Sequence, residues 1–198
     1  MMLSTKKIVY IMLFISSIVS VGCQSEIRNL QVIDTLVEKE TANDALQIRY
    51  RAPKGFYMLN EQYTDSIANE ELLRDGFAPI ILAIHVDTLV GASMMVSDAH
   101  YIPDERIAKN LREYKKFFNQ QDTWEKVVRK KYTHNNFDIV EIRCENDNYV
   151  LSKLYFFEEE KPAFVVDYFI PTAIENAYNP MVDSSIASFE KGYVLIFN

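Results

Sequence analysis

Between Glu125 and Pro171 the chain repeats one pattern four times, and this limits its fold more than any other feature. The runs "EKVVRKKYT", "FDIVEIRCE", "YVLSKLYFF" and "AFVVDYFIP" are rich in β-branched and aromatic residues, and "HNN", "NDN" and "EEEKP" separate them. Runs of this length are strand-sized. Breaks this short let a strand return only beside the one before it, so the segment predicts an antiparallel meander. Phe164, Val166 and Tyr168 alternate with Val165 and Phe169, so both faces of one strand are apolar. The sheet must therefore be covered on both sides for part of its width.

The rest of the chain supplies further strands and the cover. In "ALQIRYRAPKGFYML", Leu46, Ile48 and Tyr50 alternate with polar residues, as in a half-buried strand. Pro53 and Gly55 then turn the chain into a second extended stretch, "FYML". The apolar run "FAPIILAIHVDTLVGASMMV" is broken at Gly91 and reads as two strands, roughly 79–87 and 91–97. "TDSIANEELLRDGF" reads as a short helix capped by Asp65 or Ser66 and ended by Gly76. In "YIPDERIAKNLREYKKFFNQQ", Ile107, Leu111, Tyr114 and Phe118 share one helical face behind Pro103, and that helix can cover one side of the meander. "NPMVDSSIASFEKGY" predicts a last helix with Asn179 as N-cap, Pro180 at its first position and Gly192 past its end, followed by an extended "YVLIF". The expectation is an α+β domain: one antiparallel sheet of about six to seven strands packed with two or three helices.

This order of elements, the Pro-x-Gly-Phe turn of "APKGF" and the "SIASF" helix resemble the PsbP-like family over roughly residues 44–190. The resemblance implies an α+β sandwich. It also implies a binding or assembly role rather than catalysis, since members of that family are mostly such factors. No functional motif is shared at the residue level, so the resemblance assigns no site.

At the other end, "MMLSTKK" carries Lys6 and Lys7, and Ile8 to Val21 follows without a charge. As a helix those fourteen residues would span about 21 Å, short of the ~30 Å hydrocarbon core, so a cleaved export signal fits better than a permanent span. Gly22 before Cys23 resembles the lipobox of bacterial lipoproteins, although Ser20 stands where that family usually has Leu. The resemblance implies that Cys23 receives a diacylglycerol and becomes the first residue of the mature chain. Gln24, Ser25 and Glu26 lack the Asp that favours inner-membrane retention, and they loosely resemble a short acidic export signal of surface lipoproteins. The expected organisation is a signal peptide over 1–22, a tether over 23–44 and one domain over 45–198. The location expected is the cell envelope, lipid-anchored to the outer membrane on its periplasmic or surface-exposed face.

Loss of residues 1–22 removes two lysines and no acidic residue, so 176 of the 198 residues remain and the net charge moves from −7 to −9. An acidic chain whose one basic cluster is "RKK" at 129–131 lacks the electrostatic footprint of a nucleic-acid binder. It would also be repelled by an anionic membrane, so acyl chains would have to do the anchoring. If Cys23 is acylated, Cys144 has no disulfide partner and reads as a buried free thiol. His85 and His134 read as structural. Asp98, His100 and Asp104 could reach one cation, but their spacing fits a turn and helix cap better. Adjacent Glu158, Glu159 and Glu160 point in alternating directions and do not pre-place an acid and a base. Nothing in the sequence designates a catalytic, cofactor or metal site. The function expected is a non-enzymatic binding or assembly module for an envelope protein or small ligand, with a hydrolase or metal-dependent envelope enzyme using His100 and scattered acids as the alternative.

Overall fold

A computed structural model describes residues 30–60, 80–99, 119, 123–159 and 161–192. The order along the chain is β1 (Val37–Asn43), β2 (Ile48–Pro53), β3 (Tyr57–Met58), β4 (Ile80–Asp87), β5 (Ala92–Asp98), β6 (Lys126–His134), β7 (Phe137–Glu145), β8 (Tyr149–Glu158), β9 (Lys161–Pro171), helix α1 (Glu175–Ala187) and β10 (Glu190–Lys191). The strands form a three-stranded sheet, β1-β2-β10, and a seven-stranded sheet, β3-β4-β5-β9-β8-β7-β6. Every pairing is antiparallel.

The expectation of an α+β domain with six to seven strands and two or three helices is corrected by this arrangement. Among the described residues the chain is mostly strand, with ten strands in two sheets and one α-helix. The extended stretch expected at "FYML" is present as β3, whereas β1 and β10 escape hydropathy for a physical reason: β1, "VEKETAN", buries only Val37 and holds its place through its ladder to β2, and β10 has two exposed residues. β1 also lies within the stretch 23–44 expected to be tether. The helix expected near 65–75, the final "YVLIF" and Cys23 lie outside the described residues, as does the helix expected over 104–121 apart from Asn119, which is helical.

The meander itself follows its turns. At the β6–β7 hairpin, Asn135 and Asn136 take φ 47° and 66°, the left-handed pair that a two-residue turn needs and that Asn tolerates. At the next turn, the Asn146 side chain accepts the N–H groups of Asn148 at 2.9 Å and Tyr149 at 2.7 Å. Between β4 and β5, Gly91 at φ 74° donates its N–H to the Asp87 carbonyl at 2.9 Å.

The main core lies between the two sheets and α1. Phe137, Phe156, Phe164 and Phe189 pack together with Tyr50, and the Phe156 and Phe164 rings stack 4.4 Å apart. α1 is only weakly amphipathic in sequence because its inward face carries serines. Ser185 donates to the Arg51 carbonyl at 2.7 Å, Ser188 accepts the Arg51 N–H at 2.8 Å, and Ser184 accepts the Ile33 N–H at 2.7 Å. The helix and the two residues after it are thus fastened to β2 and to the segment before β1 by hydrogen bonds, as well as by Val182, Ile186 and Phe189. It begins at Glu175 after a 3-10 turn over Thr172–Ile174, not at Asn179 as expected, and Pro180 lies inside it. Asn179 instead donates to Glu175 at 3.1 Å. The opposite face of the meander is buried too: Val140, Ile142, Cys144, Tyr155 and Val165 form a second apolar cluster.

Candidate functional site

Where α1 crosses the ends of β7, β8 and β9, it leaves a cavity of about 20 Å³, room for one or two water molecules. Glu141, Arg143, Ser152 and Tyr168 line its floor, and Glu175, Asn179 and Asp183 line its helix side. The register explains the floor, because Arg143 lies opposite Ser152, which lies opposite Tyr168.

Arg143 organises this cleft. Its Nε donates to Glu145 at 2.9 Å and its Nη2 donates to Glu175, so one guanidinium joins β7 to the first turn of α1. Burial by itself would lower the Arg143 pKa, and Glu145 and Glu175 together more than offset that and raise it. The Glu145 carboxyl, penalised by burial, is nevertheless held below its usual range by Arg143 and Lys126. Tyr168 shares a 2.8 Å hydrogen bond with Ser185 beneath the cleft, and burial pushes its phenol far up. The cleft therefore holds a fixed cation clamped by carboxylates. Chemically, such a pair orients a helix on a sheet or orders a water.

The residues singled out in the sequence are placed apart. His85 is 3% exposed on the inner face of β4, where its Nε2 and the Tyr50 hydroxyl share a hydrogen bond of 2.9 Å. Burial lowers its pKa to about 4. His134 donates from Nε2 to the Ala187 carbonyl at 2.9 Å and so ties the β6–β7 hairpin to the end of α1. Cys144 is a buried free thiol whose pKa burial pushes up to about 12, with the Lys153 charge pulling weakly the other way. Glu158 pairs with Lys191 at 3.0 Å, and Glu159 takes φ 46° in the β8–β9 turn. Asp98 ends β5, whereas His100, Asp104 and Glu160 lie outside the described residues. Among the described residues no group of His, Cys, Asp and Glu is arranged to hold a metal ion. Likewise, no helix among them is long and apolar enough to cross a membrane.

Two charged constellations were not foreseen. One is the Arg143 cleft. The other is Lys153 and Asp167, which face each other across β8 and β9 and pair at 2.8 Å on the meander's second face. Asp167 is 4% exposed, and its Oδ1 is without a hydrogen-bond partner among the described residues. The signal was present as one charge within each of two apolar runs, "YVLSKLYFF" and "AFVVDYFIP", but only the register reveals that they meet.

No protein-family model matches the chain, and no curated protein matches it. Among solved structures it is similar to the solution structure of cyanobacterial PsbP (CyanoP) from Synechocystis sp. PCC 6803. That similarity is at 10% identity and a TM-score of 0.43, covering 85% of this chain and 98% of the other.

Proposed function

We propose that this chain is an exported protein held at the cell envelope by acyl groups on Cys23, and that its β-rich body serves as a non-enzymatic binding or assembly module. The stretch "KKIVYIMLFISSIVSVGCQSE" carries this reading: two lysines, an apolar run too short to span, then small Gly22 before Cys23 and an abrupt change to polar residues. At about 0.8 kcal/mol per buried methylene, acyl chains outweigh the weak repulsion that a net charge of −9 would feel at an anionic surface. The binding role is supported by what the described reactive groups already do. His85 and His134 are engaged in internal hydrogen bonds, and the Cys144 thiol is buried. Apolar side chains meanwhile stand in solvent, with Tyr57 50% and Met58 51% exposed on β3 and Leu89 94% exposed in the β4–β5 turn.

Detergent phase partitioning of the full chain tests the anchor. Wild type should enter the detergent phase and Cys23→Ala the aqueous phase, and equal partitioning would contradict anchoring. Elemental analysis of the purified protein tests the module, since a stoichiometric, tightly held metal would favour an enzyme instead.

A further inference from the structure

The basic run "RKK" falls on β6, the last strand of the seven-stranded sheet among the described residues. β6 pairs with β7 from His134↔Phe137 through Lys126↔Glu145 across the Asn135–Asn136 turn. In a two-residue hairpin the pair flanking the turn and every second pair after it exchange both backbone hydrogen bonds. The N–H and C=O groups of Val127, Arg129, Lys131 and Thr133 therefore point away from β7, toward an edge that no strand among the described residues covers. Four of the nine residues of β6 are cationic and none is acidic, on a chain whose net charge is −7. β7 neutralises part of this from one side: Lys126 pairs with Glu145 at 3.2 Å and Lys131 with Asp138 at 3.4 Å. Arg129 lies opposite Ile142, is exposed, and makes no ion pair among the described residues.

We propose that this edge accepts an extended acidic segment of a partner protein as an additional antiparallel strand. The backbone groups at 127, 129, 131 and 133 form the ladder, and carboxylates of the segment face Arg129 and Lys131. Charge decides the occupant. A second copy of β6 laid antiparallel on the first would set Lys and Arg against Lys and Arg, and like charges directly opposed destabilise a strand pair. The same lysines that keep an exposed edge from pairing indiscriminately thus leave an acidic strand admissible. This inference rests on the reading of the body as a binding module and supplies the chemistry of its partner.

The test uses the full chain in detergent micelles and two labelled peptides about ten residues long, one alternating Val with Glu and one alternating Val with Lys. Fluorescence anisotropy should show binding of the Glu peptide alone, weakened by salt, with hydrogen exchange slowed over 126–134. Arg129→Glu with Lys131→Glu should weaken binding roughly tenfold or more. Arg129→Pro, which removes an outward N–H and spares the ladder to β7, should abolish it while circular dichroism stays unchanged. The Cys23→Ala chain should bind the peptide as wild type does, so failure of the edge and failure of the anchor are read separately. Absence of Glu-peptide binding, equal binding of both peptides, or a salt-resistant dimer dissociated by Arg129→Pro would overturn the proposal.

Discussion

His85 is a buried group through which acid should act on this fold, beside carboxylates such as Glu145 that are held below their usual range. Its imidazole is buried between β4 and β2 against Tyr50, and its pKa falls from 6.5 to about 4 because burial penalises the charged form. Between those values the unfolded chain binds a proton that the folded chain excludes. The stabilising contribution is therefore complete above about pH 6.5 and is lost as pH falls through 4. At about 1.4 kcal/mol per pH unit, the His85 contribution to that loss should be about 3 kcal/mol over the window. Urea unfolding at neutral and acid pH should show this loss in wild type and a clearly smaller one in His85→Gln, whereas parallel profiles would remove His85 from the account. Cys144 makes a second prediction at this scale. With its thiol buried and its pKa near 12, a Cys23→Ala chain should resist disulfide reagents when native and yield one reactive thiol when unfolded. Of these two residues, Cys144 was legible as a buried thiol from its alternation with Val140 and Ile142. The Tyr50 partner of His85 was not, because it comes from a different sheet.

At the scale of elements, charge and turn chemistry tie strands together in ways that can be measured. Lys153 and Asp167 join β8 to β9 on an apolar face at 2.8 Å. Replacing one partner strands the other in low dielectric, so Lys153→Met should cost about 3–5 kcal/mol, and adding Asp167→Leu should recover much of it. A double-mutant cycle by urea unfolding decides this, and additive losses would show that the two are not coupled. The Asn135 side chain donates to the Ala187 and Phe189 carbonyls at 3.1 and 3.0 Å, so Asn135→Ala should cost about 1–3 kcal/mol. Replacement of its neighbour by glycine, Asn136→Gly, should be neutral or stabilising, since it keeps the φ of 66° without strain. The strands from β4 to β9 were readable because apolar runs and short polar turns coincide there. β1 was not, because a polar edge strand has backbone pairing but no hydrophobic period. The start of α1 was misplaced for a related reason: Asn179 and Pro180 resemble a helix start, but the Arg143 contact to Glu175 and the preceding 3-10 turn begin the helix earlier.

At the scale of the whole molecule, the β-rich body is acidic, and the proposal is that acyl groups on Cys23 hold it at the envelope. The sequence read the two-sided burial of the meander correctly, since both its inner and outer clusters are apolar. It did not expose the division into two sheets, which depends on which strands meet in space rather than on the composition of any one of them. The proposed anchor on Cys23 would fix where any partner of the body must be, and intact mass of the membrane-extracted protein is its test. The expected result is a mature chain that starts at Cys23 and is heavier by its acyl groups, with both the mass increment and the membrane association lost in Cys23→Ala. An unmodified chain, cleaved elsewhere and recovered in the soluble fraction, would contradict it.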